Sequence, residues 1–584
     1  MSYDFAKRLG ALPAADKALL LTLAGFALLA LLLGLGFGMA TGLVRGGFLA
    51  GLDDETGYRL MTLHGVNAFF YWLSFAQAFL LLALTVGHTG GASRIAARPA
   101  AWAGAGAMIA GFGLSEAGAI FGPALLYDAP PELAMDPSLA FAAVHGGYLL
   151  LAAGLFLVAW AAVATALELQ RETGGEWSTV EFAAVGWAGL LMVSTIAAFN
   201  AFLPALLWGL GLAAPPADYS TAWHLLFHNM HYLPLLATVV VWYALVQWLT
   251  GVRSAFGTTF SKIAFAAYLV FVPPTSLYHM FLEPDLPGTV RTLGSLLSLF
   301  IGVPTVLVFL VLTSSLEIAA RKSGARGLFG WIGRLPWRHP AMAAIGAAVV
   351  NLALGGVFAF VLIQEKLAPL LSDTFMVPGY FHFLTIGTVT LSFLAGFVVA
   401  GPALSARPMR GSAWLVRLPW LATLGLAVFG AAGVAAGYLG VPRRTISVAY
   451  EGLAPPVWSA LMAGVGTGAA IMGFAMIAYV AIVAVSLLAP ARAGDPRVEE
   501  PGGPRAYRDA PLSGRAEAGL PVAPGGAQPA GVVWRGDGTV AAERAWVGPL
   551  AVLVLIAAMY VFTALAFNLM HALPTVALGP AGGH

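Results

Sequence analysis

The sequence predicts an all-α integral membrane protein of about thirteen transmembrane helices. Hydrophobic residues make up 59% of its 584 residues and charged residues 10%, against roughly 45–50% and about 25% in soluble domains. Apolar runs long enough to cross a hydrocarbon core of roughly 30 Å recur from end to end. The breaks between them are charged or rich in Pro and Gly. In lipid a backbone must satisfy its own hydrogen bonds, so such runs read as helices.

Taken in order, the first span, 17–40, is full length and reads as a membrane helix, not a cleavable signal. The second, 57–87, follows Asp53, Asp54 and Glu55; the third, 98–127, follows Arg94 and Arg98. The fourth and fifth, 138–167 and 180–213, follow Asp136 and the polar break after 167. The sixth, 221–250, begins just after Asp218, and the seventh, 258–283, runs from Arg253 and Lys262 to Glu283. The eighth, 288–316, ends before Arg321 and Lys322, and the ninth, 340–364, follows Arg334 and Arg338. The tenth, 374–401, lies between Asp373 and Arg407; the eleventh and twelfth are 412–440 and 456–489, and the last is 546–572.

Basic residues gather in alternate loops, from Lys7 and Arg8 through Arg326 to Arg410, which places those loops and the N-terminus in the cytoplasm. Thirteen crossings then leave His584 outside. The expected organisation is a twelve-helix core over 1–489, a flexible cytoplasmic linker over 490–545, dense in Pro, Gly and charge, and the thirteenth helix with an outer tail over 546–584. The absence of cysteine excludes thiolate metal sites and disulfides, and 29 basic against 27 acidic residues argue against a nucleic-acid partner. No internal repeat of the transporter kind is present.

Eleven histidines remain to be explained. His64 on the second span and His382 on the tenth lie roughly 13–15 Å inside the outer boundary, at 1.5 Å per residue. His228 on the sixth and His279 on the seventh reach similar depths. Intramembrane ionisable residues are costly, and four helices converging at one depth mark a site. On the sixth span His224, His228 and His231 fall within about 60° of one another, with Tyr232 beside His228. Neutral imidazoles without thiolates suit copper, iron or zinc. Tyr380 and His382 are about 200° apart on the tenth span and serve opposite faces. Arg443 and Arg444 lie at the outer boundary, where paired guanidinium groups suit carboxylates such as haem propionates. Glu116, within the third span, should be protonated, paired or water-linked.

Several motifs together resemble subunit I of the haem-copper oxidases, in particular the B-family, ba-type cytochrome c oxidases. They are Leu63-His64-Gly65-Val66-Asn67-Ala68, the His228-x-x-x-Tyr232 pattern, Ser315-Leu316-Glu317, Gly327-Leu328-Phe329-Gly330-Trp331, Leu335-Pro336-Trp337, Val377-Pro378-Gly379 with Phe381-His382, and Val441-Pro442-Arg443-Arg444. The resemblance implies that His64 and His382 are the axial ligands of a low-spin haem b, a six-coordinate electron carrier. It implies a second, high-spin haem, copper ligated by His228 and His279, Tyr232 joined covalently to His228, and propionates held by Arg443 and Arg444. It further implies an electron donor on the outer side, a subunit II-like copper protein or a cytochrome c, room for a small accessory membrane subunit, and a multi-pass location in a bacterial or archaeal cytoplasmic membrane. The implied reaction is reduction of dioxygen to water.

Two positions depart from that pattern. The family has a histidine pair where this chain has Tyr278-His279, and a haem-ligating histidine where it has Tyr380. Three completions stay open. His224 or His231 completes the copper shell while a Tyr380 phenolate ligates the second haem, as tyrosine does in catalase; or the second metal is different and the substrate is nitric oxide; or the binuclear centre is lost and a single-haem electron-transfer subunit remains. Tyr243 and Thr305 match positions on the family's proton route.

Overall fold

A computed structural model describes residues 5–488, apart from 50, 124–125, 129–135, 175, 218, 251–255, 273–301 (289 excepted), 323, 363–367, 408 and 448–451; residue 554 is also described. The expected linker and thirteenth helix lie outside the described residues. Within them the chain is helical, with one isolated β-bridge.

A short helix, α1 (Phe5–Gly10), precedes the first span, α2 (Ala14–Arg45). The second span is α3 (Asp54–Gly65), a π-helical segment (Val66–Trp72) and α4 (Leu73–His88) in unbroken succession. Then come α5 (Arg98–Phe121), α6 (Leu139–Thr173), α7 (Thr179–Gly209), α8 (Tyr219–Thr250) and α9 (Thr258–Phe271). They are followed by α10 (Gly302–Lys322), α11 (Pro340–Leu362) and the single turn α12 (Ala368–Leu371). The tenth span is α13 (Met376–His382), a second π-helical segment (Phe383–Thr390) and α14 (Leu391–Ser405); α15 (Ser412–Tyr438) and α16 (Pro456–Leu488) complete the core. Among the described residues eleven helices are long and apolar enough to cross a membrane.

Local signals explain the ends. Asp53 caps α3 by accepting the Thr56 N–H at 2.7 Å, and hydrogen bonds from the Thr56 side chain and then this N–H hold its exposed carboxyl below the usual range. Ser138 caps α6, and Ser178 with Glu181 forms a capping box on α7. Such caps contribute about 1 kcal/mol each. The third span is shorter than expected: α5 stops at Phe121 because Gly122 turns extended and Pro123 follows, so Tyr127 and Asp128 sit in a turn. The helix α1 was not expected; it buries Phe5, Ala6 and Leu9 against the bundle, and Arg8 donates to the Val86 and Gly91 carbonyls.

The first and last described spans meet at a seam. A Cβ on Gly42 would sit 2.5 Å from that of Ala469, and one on Gly46 2.9 Å from the Gly466 Cα. Small residues let the backbones of α2 and α16 approach this closely, as is common between helices in lipid. The same face of α2 also carries Gly34 and Gly38, which admit the helix bearing His64.

Candidate functional site

His64 is the penultimate residue of α3 and His382 the last of α13, and a π-helical segment follows each of these helices at once. One extra residue per turn re-aims a helix face, and such segments are frequent at functional sites. The two segments are tied to each other, because Trp72 Nε1 donates to Thr390 Oγ1 at 3.0 Å.

The two imidazoles face each other with centroids 6.1 Å apart and planes 15° from parallel. His64 Nδ1 lies 2.7 Å from the Gly34 carbonyl, and His382 Nδ1 lies 2.8 Å from the Pro378 carbonyl. A carbonyl only accepts, so both Nδ1 atoms carry the ring proton and both Nε2 atoms keep a lone pair. This outer hydrogen bond is what fixes a metal-ligating histidine. Two metal–nitrogen bonds of about 2 Å, with each ring centroid about 1 Å behind its nitrogen, call for a centroid separation of about 6 Å. The observed separation, 6.1 Å, is the one a shared iron would require. Two imidazoles complete a coordination shell only with a group that brings the remaining donors, as a porphyrin does. Gly38 keeps the cradle open: a Cβ there would lie 2.6 Å from His64 Cε1 and Nδ1. Phe429 packs on His382 at 4.6 Å.

The arginine pair is stitched to this site. Phe375 N–H donates to the Val441 carbonyl at 2.7 Å and Arg443 N–H to the Asp373 carbonyl at 3.0 Å, so the 441–444 turn pairs with the entry to α13. Arg45, buried at the end of α2, donates to the Pro442 and Arg443 carbonyls at 2.7 Å each and stacks over Phe375 at 4.5 Å. Arg443 donates to Asp373 at 2.9 Å and Arg444 to Asp128 at 2.5 Å. Both guanidinium groups thus already hold carboxylates, the chemical class of a propionate. Asp128 follows Tyr127, whose ring covers Gly65 beside His64. Burial raises the Tyr127 phenol above its ordinary range.

On the opposite face of α13, Tyr380 is buried in an apolar cluster with Val361, Leu362, Leu371 and Met376. Tyr232, on α8, lies within electrostatic range of Tyr380 and of Tyr268. The backbone of α8 carries His224, His228 and His231, whose side chains lie outside the described residues, as do Tyr278 and His279 entirely.

Sequence reasoning missed several residues. Asn67, one turn after His64, donates at 2.7 Å to Glu116 and at 2.9 Å to the Leu63 carbonyl, which supplies the acid's partner. Below Tyr232 the Tyr243 hydroxyl donates to Ser261 at 2.5 Å, and the Tyr268 and Thr305 hydroxyls meet at 2.8 Å. Ser261 and Tyr268 lie seven residues apart on one face of α9, a spacing that points them out once α9 is placed beside α8 and α10.

The family model for cytochrome c and quinol oxidase polypeptide I matches residues 18–491. Cytochrome c oxidase subunit 1 of Thermus thermophilus is 28% identical over 335 residues, 55% of this chain and 59% of that protein. The match therefore spans about three-fifths of that relative's length. The cryo-EM structure of a haem-copper terminal oxidase dimer superposes with a TM-score of 0.74 at 22% identity, covering 87% of this chain and 89% of that one; at this identity the likeness speaks for the fold. With bilayer-length helices, a facing pair of imidazoles and a family match over most of its residues, the chain belongs to the cytochrome c and quinol oxidase polypeptide I family.

Proposed function

We propose that this chain is the catalytic membrane subunit of a respiratory terminal oxidase, reducing dioxygen to water with electrons that reach it from the side bearing Arg443 and Arg444. The observation that carries the reading is the His64–His382 pair, 6.1 Å apart with both Nδ1 atoms tied to carbonyls. His64 and His382 would hold a low-spin haem b, and Arg443 and Arg444 its carboxylates. When bound, that haem supplies one-electron carriage with no open position for a substrate.

Reduction then belongs to the far side of α13. There Tyr232 and Tyr380 supply phenols, and His228, His279, His224 and His231 are the candidate ligands for copper, with Tyr278 beside His279. A Tyr380 phenolate is the candidate ligand of a second haem. The hydroxyl pairs Tyr243–Ser261 and Tyr268–Thr305 hold transferable protons between Tyr232 and the end of the bundle bearing the basic loops. The electron donor is a subunit II-like copper protein or a cytochrome c, and the membrane is a bacterial or archaeal cytoplasmic membrane with the N-terminus inside.

A second reading, a single-haem electron-transfer subunit, is favoured by the apolar packing of Tyr380 against Val361, Leu362, Leu371 and Met376. Haem and metal stoichiometry per chain, with reduced-minus-oxidised and carbon monoxide difference spectra, separates the two. Two haems, copper and a carbon monoxide shift are expected. One haem, no copper and no shift would overturn the oxidase reading, and iron in the second metal site with turnover of nitric oxide would redirect it to a nitric oxide reductase.

A further inference from the structure

The start of α8 holds a phenol–imidazole pair that the haem site does not use. Tyr219, the first residue of α8, is 2% exposed, and His145, in the second turn of α6, is 3% exposed. The Tyr219 hydroxyl lies 3.0 Å from His145 Nε2. The other ring nitrogen, Nδ1, lies 3.0 Å from the Phe141 carbonyl, which only accepts. Nδ1 therefore carries the ring proton, and Nε2 accepts from the phenol. Phe141 stacks on the imidazole at 4.1 Å and holds that orientation.

This hydrogen bond gives Tyr219 a basic partner, unlike those of Tyr71 and Tyr268. Tyr71 meets the Ser115 hydroxyl at 2.7 Å and Tyr268 the Thr305 hydroxyl at 2.8 Å, and neither alcohol is basic enough to take a phenol proton. An imidazole is, with an ordinary pKa near 6.5. Oxidation of Tyr219 therefore need not leave a cationic phenol buried in the protein, which would be costly.

An aromatic relay reaches the pair. The Trp223 ring lies 6.2 Å from that of Tyr219 with planes 20° apart, and 6.5 Å from that of Tyr127. Trp223 precedes His228 by five residues on α8, and Tyr127 covers Gly65 beside His64.

We propose that Tyr219 and His145 form a redox-active pair that takes up, through Trp223, single oxidising equivalents escaping from the dioxygen site. Only the source of those equivalents rests on the proposed function. In the step, one electron leaves Tyr219 for a high-potential one-electron oxidant. The phenol O–H bond breaks and an N–H bond forms at His145 Nε2, giving a neutral phenoxyl beside an imidazolium. One electron from a reductant returns the proton and restores both groups.

The test supplies the oxidant from outside. The purified complex is mixed with a ruthenium(II) polypyridyl and an irreversible electron acceptor, illuminated and frozen, and its organic radicals are read by electron paramagnetic resonance with and without ring-deuterated tyrosine. A tyrosyl component is expected that collapses on deuteration and disappears in Tyr219→Phe, with the haem spectra unchanged. His145→Gln should lower its yield about tenfold, the scale of one lost hydrogen bond. A spectrum unchanged in Tyr219→Phe, a yield undiminished in His145→Gln, or no tyrosyl component in the parent protein would overturn the pair. Loss of the signal under peroxide or dioxygen while the photochemical signal persists would count against the dioxygen reading alone.

Discussion

His382 and Tyr380 are two residues apart on one short helix, yet they stand in environments of opposite kind. His382 faces another imidazole across a 6.1 Å gap, is tied by Nδ1 to a carbonyl and is backed by Phe429. Tyr380 is packed among aliphatic side chains from α11, α12 and α13. The first side has both ring N–H donors committed to carbonyls and both Nε2 lone pairs left for a ligand; the second has a phenol where the resemblance implies an imidazole. An electron carrier needs only the first side, and dioxygen chemistry needs both.

The largest effect should come from the committed side. His64→Leu or His382→Leu removes one of the two proposed ligands, and either change should abolish the low-spin haem signal in reduced-minus-oxidised spectra. The double substitution should do no more than either single one. On the other side, Tyr380→Phe should remove most of the carbon monoxide difference signal and leave the low-spin signal intact. An unchanged carbon monoxide signal would show that Tyr380 does not ligate the second iron.

A smaller change tests the cradle. Gly38→Ala places a methyl group 2.6 Å from the His64 ring, and overpacking of this kind costs roughly 1–3 kcal/mol. The thermal midpoint should fall and the haem band broaden, while Gly36→Ala, with nothing within 4 Å of the new methyl, should do neither.

The smallest effect concerns a buried histidine at neither side. His339, just before α11, accepts the Ala341 N–H at Nδ1 and packs edge-on against Trp248; burial pushes its pKa down to about 3. The unfolded chain, with an ordinary value near 6.5, binds the proton more readily, so stability is full above that pH and falls as pH drops toward 3. Between pH 7 and pH 5 the loss should be about 2 kcal/mol. The loss of thermal stability over that range should be smaller by about this amount in His339→Asn than in the parent protein, the other buried histidines keeping their share.

Eleven of the expected core spans were legible because apolar run length reports helix length directly; of the seventh, 258–283, only Thr258–Phe271 is a described helix, and the first half of the eighth lies mostly outside the described residues. The π-helical segments were not, since a wheel drawn at one angular step carries no mark of an added residue. The carboxylate partners of Arg443 and Arg444 lie 70 and 316 residues away, beyond any local pattern. His64 and His382 stood out by depth and motif; that both Nδ1 atoms meet backbone carbonyls could come only from structure. Tyr127 was read into a helix that Gly122 and Pro123 end early.

The seam between α2 and α16 bears on how the protein is made. Gly42 and Gly46 await Ala469 and Gly466, more than four hundred residues later in the chain. Ribosomes deliver helices in order, so the first helix enters the bilayer without its neighbour and the bundle stays open on that flank until the twelfth helix arrives. His64 is carried by the chain from the start, His382 only after most of it. Neither the seam nor the facing imidazole pair can close before most of the chain has been made.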